Sequence, residues 1–336
     1  MNQMQPKFSI IIPMYNVEKF IARAIKSAIN QSYENIEIIC VDDYSSDKSA
    51  EIAKEFALQD SRIKVLQNPQ NLGTYATRNN GALSASGEYL LFLDSDDFLH
   101  NDTCQKCYEI LENDRQNGGN GFDFIMFNFL SNEKKYGEWT LWKAVDKTQM
   151  VDTHEFEAIY FGKDTGYNIA TKCIKKETYF KALDFANVRK NLTLAEDILA
   201  CVALLGISNK IMLLKLGLYY YAHNDDSATR SLQSKKIQER IENLNFIIDK
   251  LRELATKKDR EYEVFLQCLI KILQTHIIRE NIHTYKIAYQ NRIQKGFPKW
   301  LARLILSLQR RRFGAQTKEK NLRKFIKENK YIFKRF

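Results

Sequence analysis

The chain has no uninterrupted apolar run long enough to cross a bilayer. Its most apolar long stretch, Val202 to Ala222, is broken by Asn209, Lys210 and Lys215, whereas a spanning helix needs about 20 consecutive apolar residues. No transmembrane helix is expected. Nor is a secretory leader, because Phe8 to Ile12 offers only five apolar-leaning residues before Pro13. Cysteine is sparse: Cys40, Cys104, Cys107, Cys173, Cys201 and Cys268 are scattered, which fits a reducing cytosol better than a disulfide framework. Cys104 and Cys107 have metal-like spacing, but no second Cys/His pair follows at zinc-site spacing, and both fall in an expected helix after Asp102. The glycine-rich phosphate loop of ordinary NTPases is missing, and no Gly-x-Gly-x-x-Gly follows the first apolar run, so a dinucleotide oxidoreductase is not supported either. Internal repeats and low-complexity segments are also absent.

What is present is an uneven charge. Lys and Arg number 51 against 41 Asp and Glu, a formal net charge of +10. Residues 231–336 hold 26 of the basic and 10 of the acidic side chains, so the last third is net +16 and residues 1–230 are net −6. A hydrophobic content of 44% is enough for a packed core and excludes a wholly disordered chain. A basic nucleic-acid-binding protein carries its charge where its fold-defining motifs lie. Here the motif-rich part is acidic, and no nucleic-acid partner is expected. Two regions are expected: a catalytic body, 1–230, and a helical, basic C-terminal region, 231–336.

Apolar runs at Phe8–Ile12, Ile36–Val41, Ile63–Leu66 and Tyr89–Leu93 read as buried strands. Between them lie helical patterns from Val17 to about Gln31, from about Asp47 to Leu58, and, after a polar loop at Asn68 to Gly73, on to about Ala85. Further strands are expected at Asp123–Phe129 and Ile211–Ala222, with an amphipathic helix at Leu192–Leu205. Ser131 to Asp152, with Trp139 and Trp142, has no clear period and reads as a surface excursion or a substrate-binding insertion. Strand and helix alternating at short intervals imply an α/β fold, a Rossmann-like, mostly parallel sheet flanked by helices. Ligands of such sheets bind outside the carboxyl ends of the strands. Three polar segments directly follow strands there: Pro13–Asn16, Asp42–Asp43 and Asp94–Asp97.

Asp94-Ser95-Asp96 places two carboxylates two residues apart on a turn. Hard cations such as Mg²⁺ and Mn²⁺ take oxygen ligands, commonly one or two carboxylates plus substrate phosphates. An acidic turn alone is usually just solvated, but the buried strand before it and the mutual repulsion of the acids favour a bound cation.

These residues carry a family resemblance. Phe8-Ser-Ile-Ile-Ile-Pro-Met-Tyr-Asn16, Val41-Asp-Asp-Tyr-Ser-Ser-Asp47, Asn71-Leu-Gly-Thr-Tyr-Ala-Thr-Arg-Asn-Asn-Gly81 and Phe92-Leu-Asp-Ser-Asp-Asp97 resemble, in order and spacing, the motifs of glycosyltransferase family 2. The resemblance implies the GT-A fold, a nucleotide-sugar donor, a divalent cation (Mn²⁺ or Mg²⁺) and inversion at the anomeric carbon. By position, Pro13, Tyr15 and Asp43 match nucleoside contacts, with Asp43 near the base. Gly73 and Arg78 match the loop flanking the donor, Asp94 the ribose and metal contact, and Asp96 the principal metal ligand. Ala195-Glu196-Asp197 resembles the family's Glu-Asp motif, which would make Asp197 the general base. Tyr219 to Arg230 resembles a tyrosine-rich terminal strand with an Asn-x-x-Ser-like element, making His223 a candidate metal ligand.

The segment around Asn71 is similar to enzymes extending lipooligosaccharide. The expected reaction moves a hexose, from UDP-hexose and possibly UDP-galactose, to a hydroxyl of a lipid-linked glycan. The rival readings are a non-catalytic nucleotide-sugar or glycan-binding module and a nucleotidyltransferase. In the basic region, Trp300, Leu301, Leu304, Ile305 and Leu308 share a helical face before Arg310-Arg-Arg312, and Leu322, Phe325 and Ile326 repeat the pattern. Such helices lie in anionic interfaces or cap a globular body. An anionic membrane surface is therefore an expected partner, and the expected place is peripheral, on the cytoplasmic face of an inner membrane.

Overall fold

The computed structural model describes residues 6–132, 139–161, 163, 166–188, 190–193, 195–224, 234–294 and 315–329. The chain divides into two compact units, one of Met1–Thr153 with Thr165–Asn224, the other of His154–Asp164 with Asp225–Phe336.

The first unit is built on a ten-stranded sheet. In chain order its strands are β1 (Phe8–Met14), β2 (Ile36–Asp42), β3 (Ile63–Gln67), β4 (Tyr89–Phe92), β5 (Phe98–Leu99), β6 (Phe124–Asn132), β7 (Trp139–Trp142), β8 (Gln149–Val151), β9 (Lys172–Lys175) and β10 (Ile211–Tyr221). They lie in the order β3-β2-β1-β4-β9-β6-β10-β5, with β7 beside β6 and β8 beside β10. The four strands at one end run parallel. β9 is antiparallel to both β4 and β6, so β6 runs with β4, and β10 runs parallel to β6. The carboxyl ends of β1, β2, β4, β6 and β10 therefore share one edge. β1, β2 and β4 are buried at every position, as expected where helices cover both faces of parallel strands.

The helices of this unit are α1 (Ile21–Ile29), α2 (Ser49–Gln59), α3 (Thr74–Ser84) and α4 (Thr103–Gln116); α6 (Lys176–Ala186) and α7 (Glu196–Ile207) follow α5, a helix of the second unit at Thr153–Tyr160. α1 starts four residues later than its periodicity suggests. Val17 N and Glu18 N donate to Ser49 Oγ (2.8 Å) and Asp47 Oδ2 (2.9 Å), which binds this stretch to the loop after β2. α3 packs close on the sheet at Gly81, where a Cβ would lie 2.4 Å from Ile11 Cγ2. The poorly periodic stretch forms β7 and β8, both paired antiparallel. β5, β9 and α6 were not foreseen from periodicity. Cys104 and Cys107 lie wholly buried in the apolar core, on α4.

The second unit contains α5, α8 (Ser234–Ala255), α9 (Arg260–Gln294) and α10 (Ala315–Asn329). α8 and α9 form a hairpin whose core includes Ile247, Leu251, Leu266, Leu269 and Leu273, braced by Arg240–Glu280 at 2.9 Å. α10 packs on α9, with Lys271 Nζ 4.8 Å from the Phe325 ring centre. Leu322, Phe325 and Ile326 are half-buried, so at least part of the amphipathic face is used inside this unit. The helix expected at 298–313 lies outside the described residues. Among the described residues, no helix is long and apolar enough to cross a membrane.

Candidate active site

The loops after β1 and β2 are tied to each other before they meet any ligand. Asn16 N donates to Ser45 Oγ (3.0 Å), and Asn16 Oδ1 accepts from Ser46 N (2.8 Å). Burial would raise the Asp47 carboxyl, but donors from Ser49 Oγ, Glu18 N and Ser49 N hold it below its ordinary value. Asn16 and Tyr44 take left-handed backbone conformations, φ 53° and 66°, uncommon outside glycine. Pro13 is buried inside β1, while Tyr15 and Tyr44 stand 50% and 58% exposed at the sheet edge.

Asp43, expected near the base, is engaged within the protein. It is 3% exposed, and its Oδ1 accepts from Asn68 Nδ2 and Leu72 N (2.8 Å each) while Oδ2 accepts from Gly73 N (2.9 Å). Its carboxylate thus pins the Asn68–Gly73 loop. Gly73, at φ 83°, opens α3, and a Cβ there would sit 3.0 Å from Leu192 O. Tyr75 N also donates to Leu192 O, 3.1 Å. These contacts bring the first turn of α3 against the segment that leads into α7.

That junction aims Arg78. Its Nη2 donates to Asp94 Oδ1 (2.6 Å), and its Nη1 donates to Glu196 Oε1 (2.9 Å) and Asp197 Oδ1 (2.5 Å). Arg78 is only 5% exposed. The resemblance matched it to the loop flanking the donor; the structure sets it on three carboxylates from the β4 turn and the start of α7. Burial disfavours its charge, but Asp197, Asp94 and Glu196 outweigh burial and hold its pKa well above the ordinary value. Ala195, just before the two acids, has φ 61°, a strained conformation of the kind found at functional sites. One guanidinium does not balance three carboxylates. Buried Lys172 on β9, with Nζ donating to the carbonyls of Gly166 and Asn168 (2.8 Å each), adds a second cation whose charge reaches Asp197. Burial, then the charge of Asp197, raises Glu196 to about 7. Asp197 is raised by burial, against the pull of Arg78.

The Asp94–Asp97 turn is held from β10. Tyr219 Oη donates to Asp97 Oδ2 (2.7 Å) and accepts from Asp94 N (3.2 Å), while Ala222 N donates to Asp97 Oδ1 (2.7 Å). Burial, then Asp94 and Asp96, pushes Asp97 well above the ordinary carboxyl value. Asp96 is raised by burial and by Asp94, against a hydrogen bond from Asn224 Nδ2 to its Oδ2 (2.9 Å). Arg23 Nη2 donates to the Asp96 carbonyl. His223 is half-buried beside Asn224; Ser227 and Arg230 lie outside the described residues. Arg23 and Lys172 escaped the sequence reading, which placed Tyr219 and Asn224 in a motif without giving either a role. For Lys172 a signal existed, a lysine opening the apolar Cys173-Ile174 strand.

A hard cation fits this donor set, because adjacent carboxylates that disfavour each other's charge gain most from one.

The family model for glycosyl transferase family 2 matches residues 9–167. The chain carries a glycosyl transferase family 2 domain. It is 48% identical over 101 residues to an uncharacterized glycosyltransferase of Haemophilus influenzae, covering 30% of this chain and 40% of that protein. It is 28% identical over 269 residues to the minor teichoic acid biosynthesis protein GgaB of Bacillus subtilis, covering 78% of this chain and 28% of that protein. The chain thus spans well under half of either relative. S. aureus TarS 1-349, solved with UDP-GlcNAc, superposes with a TM-score of 0.58 at 18% identity, covering 84% of this chain and 87% of that one. The mannosyltransferase PcManGT of Pyrobaculum calidifontis, solved with GDP-Man and Mn²⁺, gives 0.55 at 12% identity, covering 96% and 85%. These likenesses establish the GT-A fold for the sheet and its helices. The family match leaves the nucleotidyltransferase alternative without support.

Proposed function

We propose that this protein transfers a hexose, with inversion, from a UDP-sugar to a hydroxyl of a lipid-linked cell-envelope glycan such as lipooligosaccharide. The observation that carries the reading is the Arg78 junction. It joins the Asp94 turn, where the diphosphate and cation would sit, to Asp197, where an acceptor hydroxyl would lose its proton. UDP is favoured because TarS, of the same fold, is solved with UDP-GlcNAc, and an envelope acceptor because GgaB belongs to teichoic acid biosynthesis.

Asp94 and Asp96 would hold Mn²⁺ or Mg²⁺, and His223 is a further candidate. The cation supplies Lewis-acid stabilisation of the departing diphosphate. Asp197 is the proposed general base. Its Oδ1 is engaged by Arg78, its side chain is 25% exposed, and the remaining oxygen is the one that takes the acceptor proton. Arg78 fixes the carboxylate's direction and, with Lys172, opposes the rise that burial imposes on it, which favours the charged form a base needs. Pro13, Tyr15 and the loop pinned by Asp43 and Gly73 would hold the nucleoside.

Proton NMR of the first-formed product from a UDP-α-hexose tests the stereochemical half of the proposal. A β-glycoside is expected, and an α-glycoside would refute inversion and the single-base role of Asp197 together. The peripheral, cytoplasmic-face location and the anionic-membrane partner belong to the same proposal, and rest on the +16 charge of residues 231–336.

A further inference from the structure

Next to the acidic turn lies a cluster of rings that the reaction as described does not use. Phe98 follows Asp97 directly and pairs with Tyr220 across β5 and β10. Their rings stack at 4.5 Å with planes 9° apart. Trp139 sits on β7 opposite Asn132 of β6, and its indole reaches past β6 to meet both rings nearly at right angles, 5.3 Å from Phe98 and 5.0 Å from Tyr220. His100 lies parallel to Tyr220 at 6.2 Å. Trp139 remains 37% exposed, and Phe98, His100 and Tyr220 are half-exposed.

Exposed apolar clusters rimmed by polar groups mark binding surfaces. Three features narrow what this one binds. Phe98 stacks on Tyr220 and carries Arg23 over its ring, so the ring face left to solvent is that of the Trp139 indole, which meets the other two at right angles; a lipid chain or protein partner is usually met by aliphatic side chains as well. Its neighbouring cation, Arg23, lies 5.2 Å from the Phe98 ring centre and already donates to the Asp96 carbonyl, so a phosphate is poorly served. The surface is also continuous with the proposed reaction centre: Phe98 is one peptide bond from Asp97, and Tyr220 adjoins the Tyr219 that holds the turn. We propose that Trp139, braced by the Phe98–Tyr220 stack, forms an acceptor subsite whose indole stacks on the apolar C–H face of a pyranose ring. The inference rests on the glycosyltransferase reading and deepens it, assigning the acceptor terminus to a ring sugar rather than an acyclic polyol phosphate.

The test is saturation-transfer NMR on the full chain with UDP and diamagnetic Mg²⁺, using the methyl β-glycosides of galactose, glucose and N-acetylglucosamine as probes, with ribitol 5-phosphate as the acyclic comparator. Trp142 stacks on Phe129 elsewhere on the same strand, so Trp142→Ala controls for damage to β7. The wild type, Trp139→Phe and Trp142→Ala should show ring-proton transfer to at least one pyranoside. Trp139→Ala should weaken that binding about five- to tenfold, the scale of one aromatic contact. UDP affinity, measured by calorimetry, should be equal in all four proteins. An unchanged Trp139→Ala, no pyranoside signal in a protein that binds UDP, preference for ribitol 5-phosphate, or loss of UDP binding with Trp139 would each overturn the subsite. A wild type that binds no UDP would instead count against the donor assignment itself.

Discussion

At the scale of single residues the account turns on Asp197 and its immediate neighbour. Replacing Asp197 with Asn keeps a hydrogen-bond acceptor for Arg78 but removes the base. Turnover should fall by about 10²–10⁴-fold, the usual contribution of a general base, while calorimetric donor binding stays within about twofold. Normal turnover in that variant would take Asp197 out of the reaction. Glu196→Gln has a different signature. Both acids are raised with burial as the first cause; the charge of Asp197 adds to the rise of Glu196, to about 7, and the charge of Asp94 adds to that of Asp197. A carboxyl titrating there, one residue from the base and on the same guanidinium, should leave an inflection near pH 7 in the kcat profile that Glu196→Gln lacks. A profile unchanged by the substitution would mean that Glu196 does not act on the base.

At the scale of elements, the site depends on loops held by buried carboxylates. Asp43→Asn should weaken nucleotide-sugar binding and speed hydrogen exchange at the Leu72 and Gly73 amides, since Asp43 accepts from both; unchanged exchange would show that the loop holds itself. Glu37 on β2 plays a purely structural part. It accepts from Ser9 Oγ (2.6 Å), Lys64 Nζ (2.9 Å) and Ser86 N (2.6 Å). Burial opposes its charge, yet these donors lower its pKa to about 2. A depressed folded-state value stabilises the protein above the unfolded value, about 4.3, and that stability is lost as pH falls toward about 2. Glu37→Gln should therefore cost at most about 3 kcal/mol at pH 7. The gap from wild type in urea unfolding should shrink as pH drops below about 4.5; a gap independent of pH would contradict the charge-based explanation.

The same scale explains what could be read before the structure. β1, β2 and β4 were legible because strands buried on both faces are continuous apolar runs, and the motif loops follow directly from their ends. β5 and β9, with two and four residues, exist through pairing with β10, β4 and β6 and leave no period in the sequence. Asp94 and Asp96 were named for their type and spacing after a strand and Asp197 for the family resemblance, and the structure brings Asp94 and Asp197 onto one guanidinium. The Asn224–Asp96 bond and the Lys172 charge were not, because they join segments that only the folded sheet brings together. Arg78 was found for its motif, but its three carboxylate partners were invisible until α3 and α7 were placed.

At the scale of the whole molecule, the formal charge of +10 averages an acidic α/β body and a basic C-terminal third. If that third meets an anionic surface, the full chain should co-sediment with phosphatidylglycerol vesicles at low salt and release at about 0.5 M salt, where screening shortens the reach of exposed charges. Removal of residues 298–336 should weaken sedimentation; undiminished binding would place the attachment elsewhere. The central claim is a cation-assisted sugar transfer from a nucleotide donor, and donor cleavage tests it most directly. Wild-type protein and Asp96→Ala should be incubated with a panel of UDP-sugars, with Mn²⁺ or with chelator, and release of UDP followed. The account predicts release by the wild type from at least one UDP-hexose, dependent on the cation and abolished in Asp96→Ala. Equal release with chelator, or by Asp96→Ala, would contradict it.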